Sequence, residues 1–270
     1  MNLPKISIIT PSYNQGEFIE ETIRSVLSQN YPKLEYIVVD GGSTDVTVDI
    51  LRKYDHSITS WISEPDTGQS DALNKGFSIA TGDIIGWLNS DDTYLPGVLH
   101  KVARLFNDPD IDILMSEYYA FMNENGEVYE YKKNVYKDRT SLIRFWLTRG
   151  MTINQPCVFF RRKLIENMRP VIDVSLTYAM DYDLWLRLSR NAPFYIAPGH
   201  WANYRIHARG KSANNFSDFI PEWDMVSRRY WGKSYSLLWL SHCFSYLYWW
   251  KIVRSLSLLK RRLINFLRWF

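Results

Sequence analysis

The sequence predicts an α/β protein built on a parallel sheet, and three observations support this fold class. Short apolar segments alternate with amphipathic segments in units of about 30 residues, which is the spacing of right-handed βαβ connections. Polar clusters follow the apolar segments, as expected at the carboxyl edge of a parallel sheet. The apolar segment Asp83–Leu88 also runs almost directly into an acidic pair, Asp91 and Asp92.

The first 88 residues predict four strands and three helices. Runs of Ile, Val and Leu mark the strands, while Ile19, Ile23 and Val26 recur at helical spacing. We expect Ser43 or Thr44 to cap the second helix. In chain order the expected elements are a strand at 6–10, a helix at 18–27, a strand at 34–39, a helix at 46–54, a strand at 58–63, a helix at 69–80 and a strand at 83–88.

The regular alternation ends after the acidic pair, and the second half predicts a mixture of elements. No linker is evident before about residue 224, so we expect one domain of two halves, 1–93 and 94–224, followed by the segment 225–270. The expected elements are a helix at 95–106, a hairpin of 111–121 and 128–131, a short buried strand at 156–160 and a helix at 180–189.

The charge distribution separates residues 225–270 from the rest of the chain. Nine of the 32 basic residues follow Asp224 and none of the 29 acidic residues does, so residues 1–224 carry a net charge of −6 and the remainder carries +9. Apolar residues recur every three or four positions from Ile252 to Phe270. This pattern predicts amphipathic helices on an anionic membrane surface. Packing on the domain or on a second subunit is the alternative.

Other partners and compartments follow from what the sequence lacks. No recognised binding motif accompanies the basic residues, so we expect no nucleic acid partner. Cys157 and Cys243 lie far apart and indicate neither a disulfide framework nor a zinc site. The chain leads from Met1 into a strand without a signal peptide, which predicts a cytoplasmic protein, peripheral at the inner face of the cell membrane.

Asp91 and Asp92 are a candidate metal site. Two adjacent carboxylates at the end of a buried strand repel each other unless a cation or a proton lies between them. Mg²⁺ and Mn²⁺ prefer carboxylate and phosphate oxygens, so a divalent metal that bridges to a phosphate ester fits this position. The alternative is that both residues cap the helix expected from Leu95, with Pro96 in its first turn.

The polar clusters after the four expected strands jointly suit a nucleoside diphosphate with a metal. They supply an aromatic face in Tyr13, a hydrogen-bond acceptor in Asp40, glycines for close backbone approach, and the acidic pair. The sequence has neither a G-x-G-x-x-G motif at the first helix nor G-x-x-x-x-G-K-[ST], which argues against a dinucleotide cofactor and an ATPase. The clusters occupy residues 10–14, 40–45, 64–69 and 89–92.

Four segments closely resemble the family-2 glycosyltransferases of the GT-A fold, in order and in spacing. The resemblance covers roughly residues 4–215. It implies a Rossmann-like nucleotide-binding sheet with a mixed acceptor-side half, and inverting sugar transfer that uses Mn²⁺ or Mg²⁺. The matching segments are Thr10–Asn14, Val39–Asp45, Asp66–Gly76 and Trp87–Asp92.

The resemblance implies which residues contact the nucleotide-sugar. Tyr13 would stack on the nucleobase, and Asp40 would accept a hydrogen bond from a base N–H, as uracil offers. Many relatives carry an arginine where this chain has Leu73, and Lys75 is the candidate to replace that charge. The expected nucleotide-sugar contacts are Thr10, Pro11, Tyr13, Asp40, Gln69, Asn74, Lys75, Asp91 and Lys211.

The resemblance also implies metal ligands and a catalytic base. Asp92 would bind the metal directly, with Asp91 near the ribose and the metal. Asp181 matches the family's general base, although Met180 replaces the acid that precedes it in relatives. One base and a metal suffice for inversion, because the base deprotonates the attacking hydroxyl and the cation stabilises the leaving nucleotide. Without the resemblance, the favoured interpretation is that Asp181 and Asp183 are acids at a helix N-terminus, stabilised there by the helix dipole.

The segment Tyr204–Ser212 resembles the closing motif of the family. There a histidine, here His207, completes the metal or diphosphate site. Arg205, Arg209 and Lys211 lie beside it in the sequence and favour a phosphate contact. A histidine in a loop is otherwise often just solvated.

The functional hypothesis is an inverting hexosyltransferase that moves a sugar from a nucleotide-sugar, expected to be UDP-linked, to a hydroxyl of a lipid-linked or polysaccharide acceptor of the bacterial surface. A homo-oligomer is compatible with it. Two alternatives remain open. One is a non-catalytic module that binds a nucleotide or a glycan, and the other is a nucleotidyltransferase, which also places a metal and carboxylates on an α/β sheet.

Overall fold

The four strands expected in the first half form a parallel sheet in the computed structural model, which describes residues 3–144, 153–211 and 216–230 together with Leu240 and Phe244. The sheet order is β3-β2-β1-β4, and every neighbouring pair is parallel. The predicted Rossmann-like half is therefore confirmed. Its elements are β1 (Ile6–Ser12), α1 (Ile19–Leu27), β2 (Leu34–Asp40), α2 (Thr47–Lys53), β3 (Ser60–Ser63), α3 (Gln69–Ile79) and β4 (Ile84–Trp87).

The second half extends the same sheet with strands of both directions. Beyond β4 the order is β8-β6-β9-β5; β8 is antiparallel to both of its neighbours, and β6 and β9 are parallel. The predicted hairpin is present as β6 and β7. The elements are β5 (Thr93–Tyr94), α4 (Val98–Leu105), β6 (Ile113–Met122), β7 (Val128–Lys133), α5 (Arg139–Ile143), β8 (Val158–Arg161), α6 (Met180–Leu188), β9 (Phe194–Arg205) and α7 (Phe216–Tyr230).

Helices cover both faces of the sheet, and β1 contributes to both cores because successive strand residues point to opposite faces. Ile8 packs in the core that contains the apolar residues of α1 and α4. Ile9 packs in the other core, with α3, α6 and α7. A Cβ on Gly76 would lie 2.5 Å from Ile9 Cγ2, so glycine allows α3 to approach β1 closely. The carboxyl ends of the parallel strands remain uncovered and open toward the second half.

The helix caps differ from those expected. Helix α4 begins at Val98, and Gly97 precedes it with a left-handed φ of 77°. Asp91 and Asp92 therefore do not cap this helix, and that alternative is wrong. At α2 the carboxylate of Asp45, rather than Ser43 or Thr44, accepts a hydrogen bond from the first-turn N–H of Thr47 at 3.0 Å.

Helix α7 continues through the expected domain boundary at residue 224. Trp223 and Val226 are buried in the same core as Trp185 of α6. Residues 225–230 therefore pack on the domain. For these six residues the structure agrees with the alternative interpretation of the C-terminal segment, packing on the domain, rather than with membrane binding. Apart from Leu240 and Phe244, residues 231–270 lie outside the described residues. Among those that are described, no helix is long and apolar enough to cross a membrane.

Candidate active site

A cleft of about 820 Å³ opens at the carboxyl ends of the parallel strands. One wall consists of the loops after β1, β2 and β4, the first turn of α3, and residues 204–211 at and beyond the end of β9. We call it the donor wall. The other wall consists of residues 174–181, at the start of α6, and we call it the base wall. This volume lies in the range of small-molecule sites.

Five of the nine expected nucleotide-sugar contacts line the cleft. Tyr13 leaves 59% of its surface exposed, so its ring is open to stacking. Gln69 donates to Asn89 Oδ1 at 2.8 Å and accepts from Lys211 Nζ at 2.8 Å, which connects α3, the loop after β4 and the segment after β9. The five are Pro11, Tyr13, Gln69, Asp91 and Lys211.

Thr10 and Asp40 lie beneath the cleft, fully buried, and do not line it. Thr10 Oγ1 accepts a hydrogen bond from the hydroxyl of Tyr36 at 3.3 Å. The carboxylate of Asp40 is saturated by four donors, which are the N–H groups of Gly42 and Ser43 and the hydroxyls of Ser43 and Ser63. In this conformation Asp40 orders the glycine loop that lines the cleft, instead of facing a base.

Asn74 and Lys75 are also not brought to the cleft. The amide of Asn74 donates to the carbonyl of Ile172 and accepts from its N–H, each at 2.8 Å. Lys75 pairs with Glu64 at 2.8 Å and with Asp71 at 3.7 Å. Only the first turn of α3 reaches the cleft, and both residues lie in its second turn.

The structure reverses the positions expected for Asp91 and Asp92. Asp92 is only 1% exposed, and its Oδ1 accepts a hydrogen bond from the N–H of Arg205 at 2.9 Å. Burial and the neighbouring charge of Asp91 raise the pKa of Asp92 well above its usual range. Asp91 lines the cleft, and its Oδ2 lies 3.0 Å from His207 Nε2. Asp91, rather than Asp92, therefore occupies the position expected for the direct metal ligand.

His207 is buried rather than solvated, and its ring is held in place. The ring lies 4.5 Å from that of Phe18, measured between centroids. Nε2 faces Asp91, whereas the buried Nδ1 has no hydrogen-bond partner in the part of the chain that the structure describes. Phe18, at the start of α1, had no expected role, because its apolar character predicts only core packing.

Asp91 and His207 fit two positions of a divalent-cation site. Adjacent ligands around an octahedral ion with bonds of about 2.1 Å lie about 3 Å apart, and the two side-chain atoms are separated by 3.0 Å. The described residues contain no group of three or more His, Cys, Asp or Glu side chains that could hold an ion. Two protein ligands are typical where substrate phosphates complete the coordination.

Asp181 lies in the first turn of α6 and lines the base wall. Burial raises the pKa of Asp181 to about 7, against the opposing effects of backbone hydrogen bonds and the charge of Lys211. A carboxyl group that titrates near neutral pH in a cleft has the property required of a general base.

Lys211 lies near charged groups of both walls. Its Nζ donates to Gln69 Oε1 at 2.8 Å and to the carbonyl of Thr177 at 3.3 Å. Burial lowers the pKa of Lys211, and three carboxylates counter that effect, those of Glu222, Asp181 and Asp91.

Arg205 is engaged in contacts within the protein, whereas its place in a basic run predicted a phosphate contact. Its guanidinium group is 1% exposed and points into the protein. It lies 5.0 Å from the ring of Phe18. Nothing in the local sequence distinguishes this arginine from Arg209, which pairs with Glu17 at the surface. The hydrogen-bond acceptors of Arg205 are the carbonyls of Asp91, Asn123 and Glu124 and the carboxylate of Glu21.

Comparison with known families matches residues 7–169 to glycosyl transferase family 2. An uncharacterized glycosyltransferase of Rickettsia prowazekii is 30% identical over 229 residues, which cover 82% of this chain and 70% of that protein. A Rickettsia typhi relative is 29% identical over 212 residues, and the chain spans 64% of its length. TuaG of Bacillus subtilis, provisionally named for teichuronic acid biosynthesis, is 43% identical over 101 residues, 36% of this chain and 40% of TuaG.

Solved structures share the fold at low sequence identity. TarS 1–349 of S. aureus in complex with UDP-GlcNAc has a TM-score of 0.67 and 18% identity, over 90% of this chain and 72% of that one. The mannosyltransferase PcManGT of Pyrobaculum calidifontis, in complex with GDP-Man and Mn²⁺, has a TM-score of 0.65 and 19% identity, over 92% and 71%. The family match covers more than half of the 270 residues. The chain therefore belongs to glycosyl transferase family 2 and has the GT-A fold.

Proposed function

We propose that the chain transfers a sugar from a nucleotide-sugar to an acceptor hydroxyl with inversion, and that Asp181 is the general base. One observation carries the proposal. A carboxyl group with a pKa of about 7 lies on one wall of the cleft, and a carboxylate–imidazole pair lies on the other. A base and a diphosphate site in one cleft are what direct displacement requires.

In this mechanism Asp181 accepts the proton of the acceptor hydroxyl as the oxygen attacks the anomeric carbon. The new bond forms on the face opposite the leaving diphosphate, so the configuration inverts. Asp91 and His207 would hold a divalent cation, which supplies stabilisation of negative charge on the diphosphate when it is bound. Lys211 lies where its ammonium group can contact the same charge.

Tyr13 is proposed to stack on the nucleobase, and the donor to be UDP-linked. The structures that share this fold were solved with UDP-GlcNAc and with GDP-Man, so both base classes occur on it. The name of TuaG supports a surface polysaccharide or its lipid-linked precursor as the acceptor. Thr10 and Asp40 would then act indirectly, by shaping the loops that contact the base.

Residues 231–270 are proposed to bind an anionic membrane surface. The sequence supports this proposal, because seven of the nine basic residues after Asp224 lie in this stretch and it contains no acidic residue. Residues 225–230 are excluded from this role because α7 packs them on the domain.

The activity itself is tested by the product that leaves. With a screened panel of nucleotide-sugars and Mn²⁺, we expect release of nucleoside diphosphate, whereas a nucleotidyltransferase releases pyrophosphate. A thermal-shift screen identifies the donor first, since a ligand that binds the folded state raises the melting temperature. Binding without release of either product from any donor and acceptor would instead support a non-catalytic module.

Asp91→Asn and Asp92→Asn form a matched pair that tests the metal site. We expect Asp91→Asn to lower turnover by at least about 100-fold, because charge stabilisation of the leaving group is lost. Asp92→Asn should keep most of the activity, since an amide oxygen still accepts from the N–H of Arg205. Calorimetry of Mn²⁺-dependent UDP binding gives an independent readout. The opposite ranking, or full activity in excess chelator, contradicts the assignment.

The pKa of Asp181 predicts how kcat/KM falls at acidic pH, the acid limb of the pH profile. The base works only when ionised, so kcat/KM should rise tenfold per pH unit below about 7 and level off above it. Asp181→Asn should lower kcat by about 10²- to 10⁴-fold and leave UDP binding intact. Weaker UDP binding with normal turnover would count against Asp181 as the base.

Truncation after Tyr230 tests the C-terminal segment. We expect this variant to keep its melting temperature and its turnover of a soluble acceptor, but to lose co-sedimentation with anionic liposomes. Truncation after Asp224 is the control, and it should destabilise the domain because it removes the buried Val226. If the chain truncated after Tyr230 still co-sediments with anionic liposomes, the proposed membrane role of residues 231–270 is wrong.

A further inference from the structure

A different helix binds the backbone immediately before α6, the helix that carries Asp181. The first turn of a helix leaves its N–H groups without partners, and the N-cap residue Ala179 provides no side-chain cap. The carboxylate of Glu222, in α7, accepts from the N–H groups of Thr177 at 3.0 Å, Tyr178 at 2.7 Å and Ala179 at 2.9 Å. A carboxylate at this position also interacts favourably with the helix dipole.

Helix α7 holds α6 at a second point, on the other side of Asp181. The carboxylate of Asp183 is 3% exposed and forms an ion pair with Arg187 of α6 at 2.8 Å. Two residues of α7 contact the same carboxylate. Tyr230 Oη donates a hydrogen bond to it at 3.0 Å, and Arg229 forms an ion pair with it at 3.4 Å. A buried carboxylate with this many donors is fixed in position, because each lost contact leaves charge desolvated.

Apolar packing joins the two polar contacts. The ring of Phe219 lies 4.7 Å from that of Tyr178, measured between centroids. Trp223 and Val226 are buried in the core that also contains Trp185 of α6. Helix α7 therefore contacts the start of α6 along several of its turns.

We infer that Glu222 is a positioning residue for the reaction, which sets the place of Asp181 in the cleft through the backbone of residues 177–179. Glu222 does not line the cleft. Asp181 lies two residues after the segment that Glu222 binds and two residues before Asp183, so α7 restrains it from both sides. The inference rests on the proposed role of Asp181 as the base. It gives α7 the role of holding the base wall in position.

The expected kinetic consequence follows from geometry. Misplacement of a catalytic group by about 1 Å costs roughly 100-fold in rate. Without Glu222, three N–H groups lose their acceptor, and residues 177–179 keep only the contact of the Thr177 carbonyl with Lys211 and the packing of Tyr178 on Phe219. We expect Asp181 to become more hydrated as a result. Lys211, on the donor wall, is the charged side chain that acts on the pKa of Asp181, and the carboxylates of Glu222 and Asp91 act in turn on Lys211. Hydration of Asp181 would lower its pKa, since burial is what raises it.

The experiment compares Glu222→Ala and Glu222→Gln with the wild type. We expect Glu222→Ala to lower kcat by about 10- to 100-fold, to leave KM for the nucleotide-sugar within about twofold, and to move the acid limb to lower pH. Glu222→Gln should recover part of kcat, because its amide oxygen can accept the same backbone hydrogen bonds. Loss of thermal stability with an unchanged kcat and acid limb would reduce Glu222 to a structural role and overturn the inference.

Hydrogen exchange provides a readout that needs no substrate. Exchange at the amides of Thr177, Tyr178 and Ala179 should accelerate in Glu222→Ala, and unchanged exchange overturns the inference. Arg228→Ala, on the exposed side of α7, is the control and should change neither exchange at 177–179 nor kcat. If the alanine variant does not fold, the glutamine variant carries the same measurements. Failure of the wild type to transfer any sugar would reject the proposed function and leave the exchange result standing.

Discussion

The buried guanidinium of Arg205 is the interaction on which the donor wall depends. A buried charge is tolerated only with good partners, because a charge that is removed from water and left unpaired is costly. The partners of Arg205 come from α1, the loop after β4 and the turn between β6 and β7, so this one side chain connects three segments. That arrangement sets Asp91, whose carbonyl Arg205 binds, beside His207, which follows Arg205 by two residues.

The two walls of the cleft have separate supports. Arg205 and the ring of Phe18 hold the donor wall from below, whereas α7 holds the base wall from behind, through Glu222 and the buried Asp183. Neither support lies within the strand-end clusters that line the donor wall. Direct displacement with one base and one diphosphate site requires both walls to stay at fixed positions. Each wall is held in position by a charged contact that is buried or partly shielded from solvent.

Sequence patterns predicted the parts of this structure that depend on local periodicity. The parallel half and the hairpin follow from alternation and turn residues, and the position of the cleft follows from the polar clusters at the strand ends. Spacing could not decide which of Asp91 and Asp92 faces the cleft, because adjacent residues point to opposite sides. The long strand β9 lacks a clear apolar period, and the partners of Arg205, Asn74 and Glu222 are set by contacts between distant segments. These features depend on tertiary structure alone.

Lys211 couples the two walls electrostatically. Its ammonium group favours the ionised form of Asp181, and it interacts also with Asp91 and Glu222. A diphosphate that engages Lys211 would bring negative charge close to Asp181, and a nearby like charge raises the pKa of a carboxyl group. A cation held by Asp91 and His207 would act in the opposite sense. The protonation state of Asp181 would therefore depend on how completely the donor wall is filled, and this dependence requires no movement of the backbone, because Asp91, Asp181 and Lys211 line one cleft.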